Sequence, residues 1–138
     1  MGRDEKKKRI NFWQDHSLNY LEMAFNAERC EIIENPDGYG KKVGECDDTV
    51  EIFLSVKNNI IESLSFNTIG CINTNACANA IGAMSEGKSL ENAWNITPED
   101  VVAFLETLPA EDIHCAELAV GTFYIALTDA QKNKTEHS

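Results

Sequence analysis

The stretch Thr49 to Ile69 constrains this chain more than any other. Val50, Ile52, Leu54 and Val56 alternate with Thr49, Glu51, Phe53 and Ser55, the period of two that marks a half-buried strand. Lys57-Asn58-Asn59 interrupts the alternation, and asparagine tolerates the left-handed backbone that a tight hairpin turn requires. Ile60, Leu64 and Phe66 then share one face of the returning segment. The pattern predicts an antiparallel hairpin that ends at Gly70-Cys71.

Helical signals surround that hairpin. A first amphipathic helix is expected from Phe12 to about Ala27, with Trp13, Leu18, Leu21, Met23, Ala24 and Phe25 on its apolar side. Glu31-Ile32-Ile33-Glu34 reads as a short strand closed by the Asn35-Pro36-Asp37-Gly38 turn. After Cys71, Asn73 or Thr74 offers a cap for a helix reaching about Glu86, packed through Ala76, Ala80, Ala83 and Met84. Ser89 caps a short helix through Trp94. Thr97-Pro98-Glu99-Asp100 is a helix start, with a cap, a first-position proline and two acids at the positive end of the dipole. That helix is expected to end near Leu108-Pro109. A last one runs from Ile113–Cys115 to about Ala130, with Leu118, Thr122, Ile125 and Ala126 inward. The order predicts an α+β fold, a small antiparallel sheet of about three strands covered by helices. Residues 1–10 are expected to be a disordered basic leader, 11–131 a single domain, and 132–138 a flexible tail.

Charge narrows the partners. Twelve Lys and Arg stand against 23 Asp and Glu, a net of −11, and five of the basic residues lie in the run Arg3, Lys6, Lys7, Lys8, Arg9. Residues 10–131 hold five basic side chains against 20 carboxylates, a net of about −15, which repels phosphate backbones and excludes nucleic acid as the expected partner. No apolar run reaches the roughly 18–20 residues that span a bilayer, and no apolar segment backs the N-terminal charges as in a signal peptide. Five cysteines, an odd number, then point to a reducing cytoplasm, where thiols near loops serve as ligands or nucleophiles.

Three clusters carry that chemistry: Cys46-Asp47-Asp48, Gly70-Cys71 and His114-Cys115, each at the edge of a predicted element. Cys71 and Cys115 fall at helix starts, where unsatisfied N–H groups favour a thiolate. Cys46 has acidic neighbours that disfavour an isolated thiolate but become favourable once a cation is bound. Three thiolates with Asp48 or His114 as fourth ligand make a metal or iron–sulfur site. The cysteines lie 25 and 44 residues apart with no C-x-x-C, so spacing alone does not identify it. Cys30 reads as structural, and His16 as a surface or core residue of the first helix. Cys77, a turn into the helix after Cys71, reads as core packing, with a spare thiol near the site as the alternative.

With these residues in view, the chain resembles the NifU-like (IscU-type) iron–sulfur cluster assembly scaffolds from about Leu18 to Leu127. Val43–Asp48 is similar to the family's Cys-Gly-Asp motif, and Ile60–Cys71 ends in its second cysteine. Glu86–Ala93 resembles its Gly-Lys-Ser/Thr-Leu linker, and Leu108–Cys115 its Leu-Pro-x-x-x-x-His-Cys segment. The resemblance implies the SufE/NifU-like fold and a carrier rather than an enzyme. In that reading Cys46, Cys71 and Cys115 bind a transient [2Fe–2S] cluster, Asp48 is a labile ligand, and His114 sits beside the third cysteine. It also implies a cysteine desulfurase as sulfur donor, iron, acceptor apo-proteins, and a monomer or weak dimer.

The chain departs from the family pattern in three places. Asp47 replaces the motif glycine, and Ile72–Cys77 is more polar than the usual small-residue run. Leu108-Pro109-Ala110-Glu111-Asp112 lacks the second proline and the lysine of the Leu-Pro-Pro-Val-Lys sequence, which weighs against recognition by the dedicated Hsp70 chaperone. A second reading is a zinc-bound sulfur acceptor of the SufU branch. There Cys115 carries persulfide and zinc rests on Asp48, Cys71 and Cys115. The short interval between Cys71 and Cys115 favours the scaffold.

Overall fold

β2 (Thr49–Lys57) and β3 (Ile60–Ile69) form the expected hairpin, with Leu54 opposite Leu64 and Ile52 opposite Phe66. Its two turn residues, Asn58 and Asn59, have φ of 55° and 67°, the doubly left-handed geometry that matches strand twist. These are features of a computed structural model that describes residues 17–45 and 47–137. Cys46, His16, Trp13 and the leader lie outside the described residues.

A bulge corrects the reading of the return strand. Val56 faces Ile61 while Ser55 faces Ser63, so Glu62 is an extra residue and the inward parity changes there. Ile61 is therefore buried beside Leu64 and Phe66, whereas Ile60 is 39% exposed.

The third strand is also not where alternation placed it. Residues 31–34 form no strand, Ile32 is 66% exposed, and this segment meets the sheet only through an isolated bridge between Cys30 and Phe66. The strand is instead β1 (Gly38–Val43), antiparallel to β2, giving the order β1-β2-β3. Its glycines are the reason. A Cβ on Gly40 would stand 2.4 Å from the Thr122 carbonyl oxygen and 2.7 Å from the Ala126 nitrogen, so helix backbone rests directly on this strand.

That helix is α5 (Ile113–His137), which crosses β1 and β2, while α2 (Ile72–Ser85) packs on the same side against β3. Val50, Ile52, Leu54, Leu64 and Phe66 from the sheet meet Ala76, Ala80 and Ile81 of α2 and Ala119, Phe123 and Leu127 of α5, all buried. The opposite face carries Tyr39, Glu51, Phe53 and Asn67. There the Tyr39 and Phe53 rings lie 5.3 Å apart, Asn67 donates to Glu51 at 3.0 Å, and the Tyr39 hydroxyl donates to Glu51. The architecture is thus α+β, with five α-helices among the described residues accompanying a three-stranded antiparallel sheet.

Helix boundaries differ from expectation where caps decide them. α2 begins at Cys71 itself as N-cap rather than at Asn73 or Thr74. α3 (Leu90–Ala93) is capped by Ser89, and α4 (Pro98–Leu105) starts with a capping box between Thr97 and Asp100. α4 stops before Leu108-Pro109 because Glu106 turns left-handed, with φ 65°. α5 runs past Ala130, burying Leu118, Thr122 and Ala126 but leaving Ile125 42% exposed. No helix of the described residues is long and apolar enough to cross a membrane.

α1 (Leu18–Phe25) is tied down by polar contacts as much as by its apolar face. Tyr20, Met23 and Ala24 are buried, while Leu18 and Phe25 are 83% and 51% exposed. The buried Asn79 side chain donates to the carbonyls of Met23 and Asn26, both at 3.0 Å, and accepts from Arg29 at 2.8 Å. Arg29 also pairs with Glu86 at 2.7 Å, and Glu86 accepts the Leu64 N–H at 3.1 Å. Asn79→Ala strips two carbonyls of this donor and the Arg29 guanidinium of one of its two acceptors, so we expect a loss of about 3 kcal/mol in urea unfolding. A loss below about 1 kcal/mol would show that water substitutes for the amide.

Candidate metal centre

The hairpin register builds one end of the sheet into a site. Thr49 pairs with Ile69, which places the preceding Asp48 beside the following Gly70. A Cβ on Gly70 would lie 2.8 Å from Asp48 Oδ1, so the glycine leaves the space that the carboxylate occupies. The next residue, Cys71, caps α2, and Thr74 follows one turn later. From the other side, the 3-10 turn Ala110–Asp112 leads into α5 and delivers His114 and Cys115 in its first turn.

These residues converge. Possible ligand atoms of Asp48, His114 and Cys115 all lie within 4.8 Å of one another, and so do those of Cys71, Asp112 and Cys115. The Thr74 hydroxyl sits among them, 3.3 Å from Asp48 Oδ2, 3.6 Å from Cys115 Sγ and 3.7 Å from Cys71 Sγ. His114 Nδ1 lies 3.0 Å from the Glu111 carbonyl oxygen, a contact that requires the proton on Nδ1. In the neutral ring this leaves the Nε2 lone pair, 3.7 Å from Cys115 Sγ, the arrangement of a metal-binding imidazole.

The two thiols differ in surroundings. Cys71 is exposed and Cys115 is buried. Burial pushes the Cys115 thiol up to about 12, opposed by the Thr74 hydrogen bond and reinforced by neighbouring Cys71. The helix start was expected to favour a thiolate there, and desolvation outweighs it. A bound cation reverses that balance, since it displaces the proton and replaces lost hydration. A cleft of about 460 Å³, lined in part by Lys42, Gly44, Asp48, His114 and Glu117, opens beside the Asp48–His114 side.

Of the residues singled out in the sequence, the structure gathers Asp48, Cys71, His114 and Cys115, while Cys46 lies outside the described residues. Cys77 is fully buried in α2, as core packing requires. Cys30 is not a buried structural thiol but an exposed one, its sulfur 3.7 Å from Asn75 Oδ1. Asp47 is exposed and has φ 64°, so an aspartate holds the left-handed backbone that a glycine would adopt freely. Thr74 and Asp112 escaped the sequence reading as site residues. Their only signal was distance along the chain, three residues after Cys71 and three before Cys115.

Residues 25–137 match the model of the NifU-like N terminal domain, and the chain belongs to that family. It is 37% identical over 99 residues to the iron-sulfur cluster assembly scaffold protein IscU 1 of Archaeoglobus fulgidus, an alignment covering 70% of this chain and 64% of that protein. The chain thus spans somewhat less than two thirds of that relative. Identity to the scaffold protein IscU of Buchnera aphidicola subsp. Baizongia pistaciae is 32% over 128 residues, 83% of this chain and all of that one. The fold is also that of solved structures. A NifU-like N-terminal protein of Brucella abortus superposes with a TM-score of 0.68 at 12% identity, covering 84% of this chain and 94% of that one. A candidate SUF-system scaffold from Fervidobacterium islandicum gives 0.69 at 17% identity, covering 84% and 98%.

Burial sets an order of thiol reactivity in the metal-free protein. At neutral pH, iodoacetamide should modify Cys71 first, Cys115 far more slowly, and Cys77 only on unfolding. Because its titration is displaced upward, Cys115 should gain reactivity only as pH climbs towards about 12. Peptide-resolved mass spectrometry reads this, and equal rates at Cys71 and Cys115 at pH 7 would contradict the burial described.

Proposed function

We propose that this chain is a scaffold on which an iron–sulfur cluster is assembled and from which it is passed on. The observation that carries this reading is the convergence of Cys71, Cys115, Asp48 and His114 at one end of the sheet. The cluster is cargo, a [2Fe–2S] unit held by the Cys46, Cys71 and Cys115 thiolates, with Asp48 or His114 completing the set. Oxygen and nitrogen donors bind iron less firmly than a fourth thiolate, which suits a carrier that must release its load. Sulfur comes from a cysteine desulfurase and the finished cluster goes to acceptor apo-proteins, in a reducing cytoplasm that keeps exposed Cys71 available. Asp48 and His114 both line the open cleft, so a competing ligand from an acceptor can approach the metal on the side of these weaker donors.

Anaerobic reconstitution with ferrous iron and sulfide tests the reading. The wild type and Cys30→Ala should develop the visible absorption of a [2Fe–2S] cluster, while Cys46→Ala, Cys71→Ala and Cys115→Ala should each lose it. A wild-type chain that takes up only zinc and stays colourless would contradict the scaffold and favour the zinc-bound sulfur acceptor, with Cys115 as persulfide carrier.

A further inference from the structure

We propose that Asp112 is a metal ligand, the oxygen donor of a second cation position formed with Cys71 and Cys115. The inference rests on reading this locus as metal-binding and adds a residue to it. The structure holds two overlapping ligand sets: Asp48, His114 and Cys115 on one side, and Cys71, Asp112 and Cys115 on the other. Cys115 belongs to both. A thiolate has lone pairs enough to bridge two cations, so the pair of sets suits two neighbouring metal positions, each with its own carboxylate.

Asp112 is positioned as metal-binding carboxylates are. Asn73 Nδ2 donates to Asp112 Oδ2 at 2.8 Å, and Asn73 Oδ1 accepts from the hydroxyl of Tyr20, itself 1% exposed. This relay fixes the amide. With the amide turned over, its oxygen would face the carboxylate and two acceptors would meet. The chain Tyr20–Asn73–Asp112 therefore runs from the buried face of α1 through the first turn of α2 to the end of the 3-10 turn. A hydrogen bond made to a ligating carboxylate from behind, as Asn73 makes to Asp112, orients it before a metal arrives.

Among the described residues Asp112 also has no cationic side chain paired with it. The one ion pair there joins Arg29 to Glu86, so none of the described lysines or arginines neutralises Asp112. It is half-buried, with the thiols of Cys71 and Cys115 near its carboxylate. Such a grouping of potential negative charges is costly in the absence of a cation and favourable around one.

Cobalt(II) titration of the metal-free full chain tests this, since ligand-field bands report the donor set independently of cluster assembly. Asp112→Asn keeps the size of the side chain and an acceptor for Asn73. It should weaken cobalt binding about tenfold or more and shift the ligand-field bands. Asn73→Ala should weaken binding about tenfold by releasing the carboxylate, with its unfolding midpoint measured alongside. Binding by Asp112→Asn within twofold of wild type would overturn the assignment. So would weaker binding with unchanged bands, which would make Asp112 a remote charge, and so would a wild type that binds no cobalt. Iron–sulfide reconstitution of the wild type run in parallel separates the two proposals. Asp112-dependent cobalt bands without a cluster would sink the scaffold reading and leave the ligand assignment standing. A cluster with Asp112-independent cobalt bands would do the reverse.

Discussion

The hydroxyl of Thr74 is where the separate parts of this fold meet. It touches the Asp48 carboxylate from the loop before β2, the Cys71 thiol from the cap of α2 and the Cys115 thiol from the start of α5. Thr74 is fully buried, so these contacts are its means of satisfying a polar group away from water. A hydroxyl has one proton, which it can give either to Asp48 or to Cys115 but not to both. Its lone pairs can in turn accept from a protonated thiol, so one hydroxyl draws all three groups to a single point. A cation placed there would take lone pairs from the carboxylate and the thiolates directly.

That arrangement depends on the backbone around it. The Thr49–Ile69 pairing brings Asp48 to Gly70, and the missing side chain at Gly70 makes room for the carboxylate. Gly40 lets α5 settle onto β1, and α5 carries His114 and Cys115 in its first turn. On the far side, Asn79 anchors the C-terminal end of α1 to α2, while Tyr20 of α1 holds Asn73. Core packing and the placement of the candidate ligands are therefore one construction. The burial that seals Cys115 into the core also raises its thiol pKa, so a metal binding there would have to release that proton.

Much of this was legible in the sequence, for identifiable reasons. Val50, Ile52 and Leu54 have one face buried, so their period of two survived, and Asn58-Asn59 announced the turn. The capping box at Thr97 and Asp100 is a local device and was readable as such. β1 was not, because Gly38 and Gly40 give no hydrophobic signal where they do their packing. The Glu62 bulge also escaped, since a single extra residue leaves the composition of the strand unchanged. At the site, Cys71, Cys115, Asp48 and His114 were found by residue type and motif. Thr74 and Asp112 matter through tertiary proximity, which no local pattern encodes.

The Thr74 hydroxyl is thus the group that would hold the proposed ligands in place before a metal binds. Zinc affinity of Thr74→Val, measured by competition with a chromophoric chelator and set beside Thr74→Ser, tests this most directly. Valine keeps the shape and loses the hydroxyl, so affinity should fall about tenfold, whereas serine should stay close to wild type. Equal affinity in the valine variant, with an unchanged unfolding midpoint, would contradict the claim and reduce Thr74 to a packing residue.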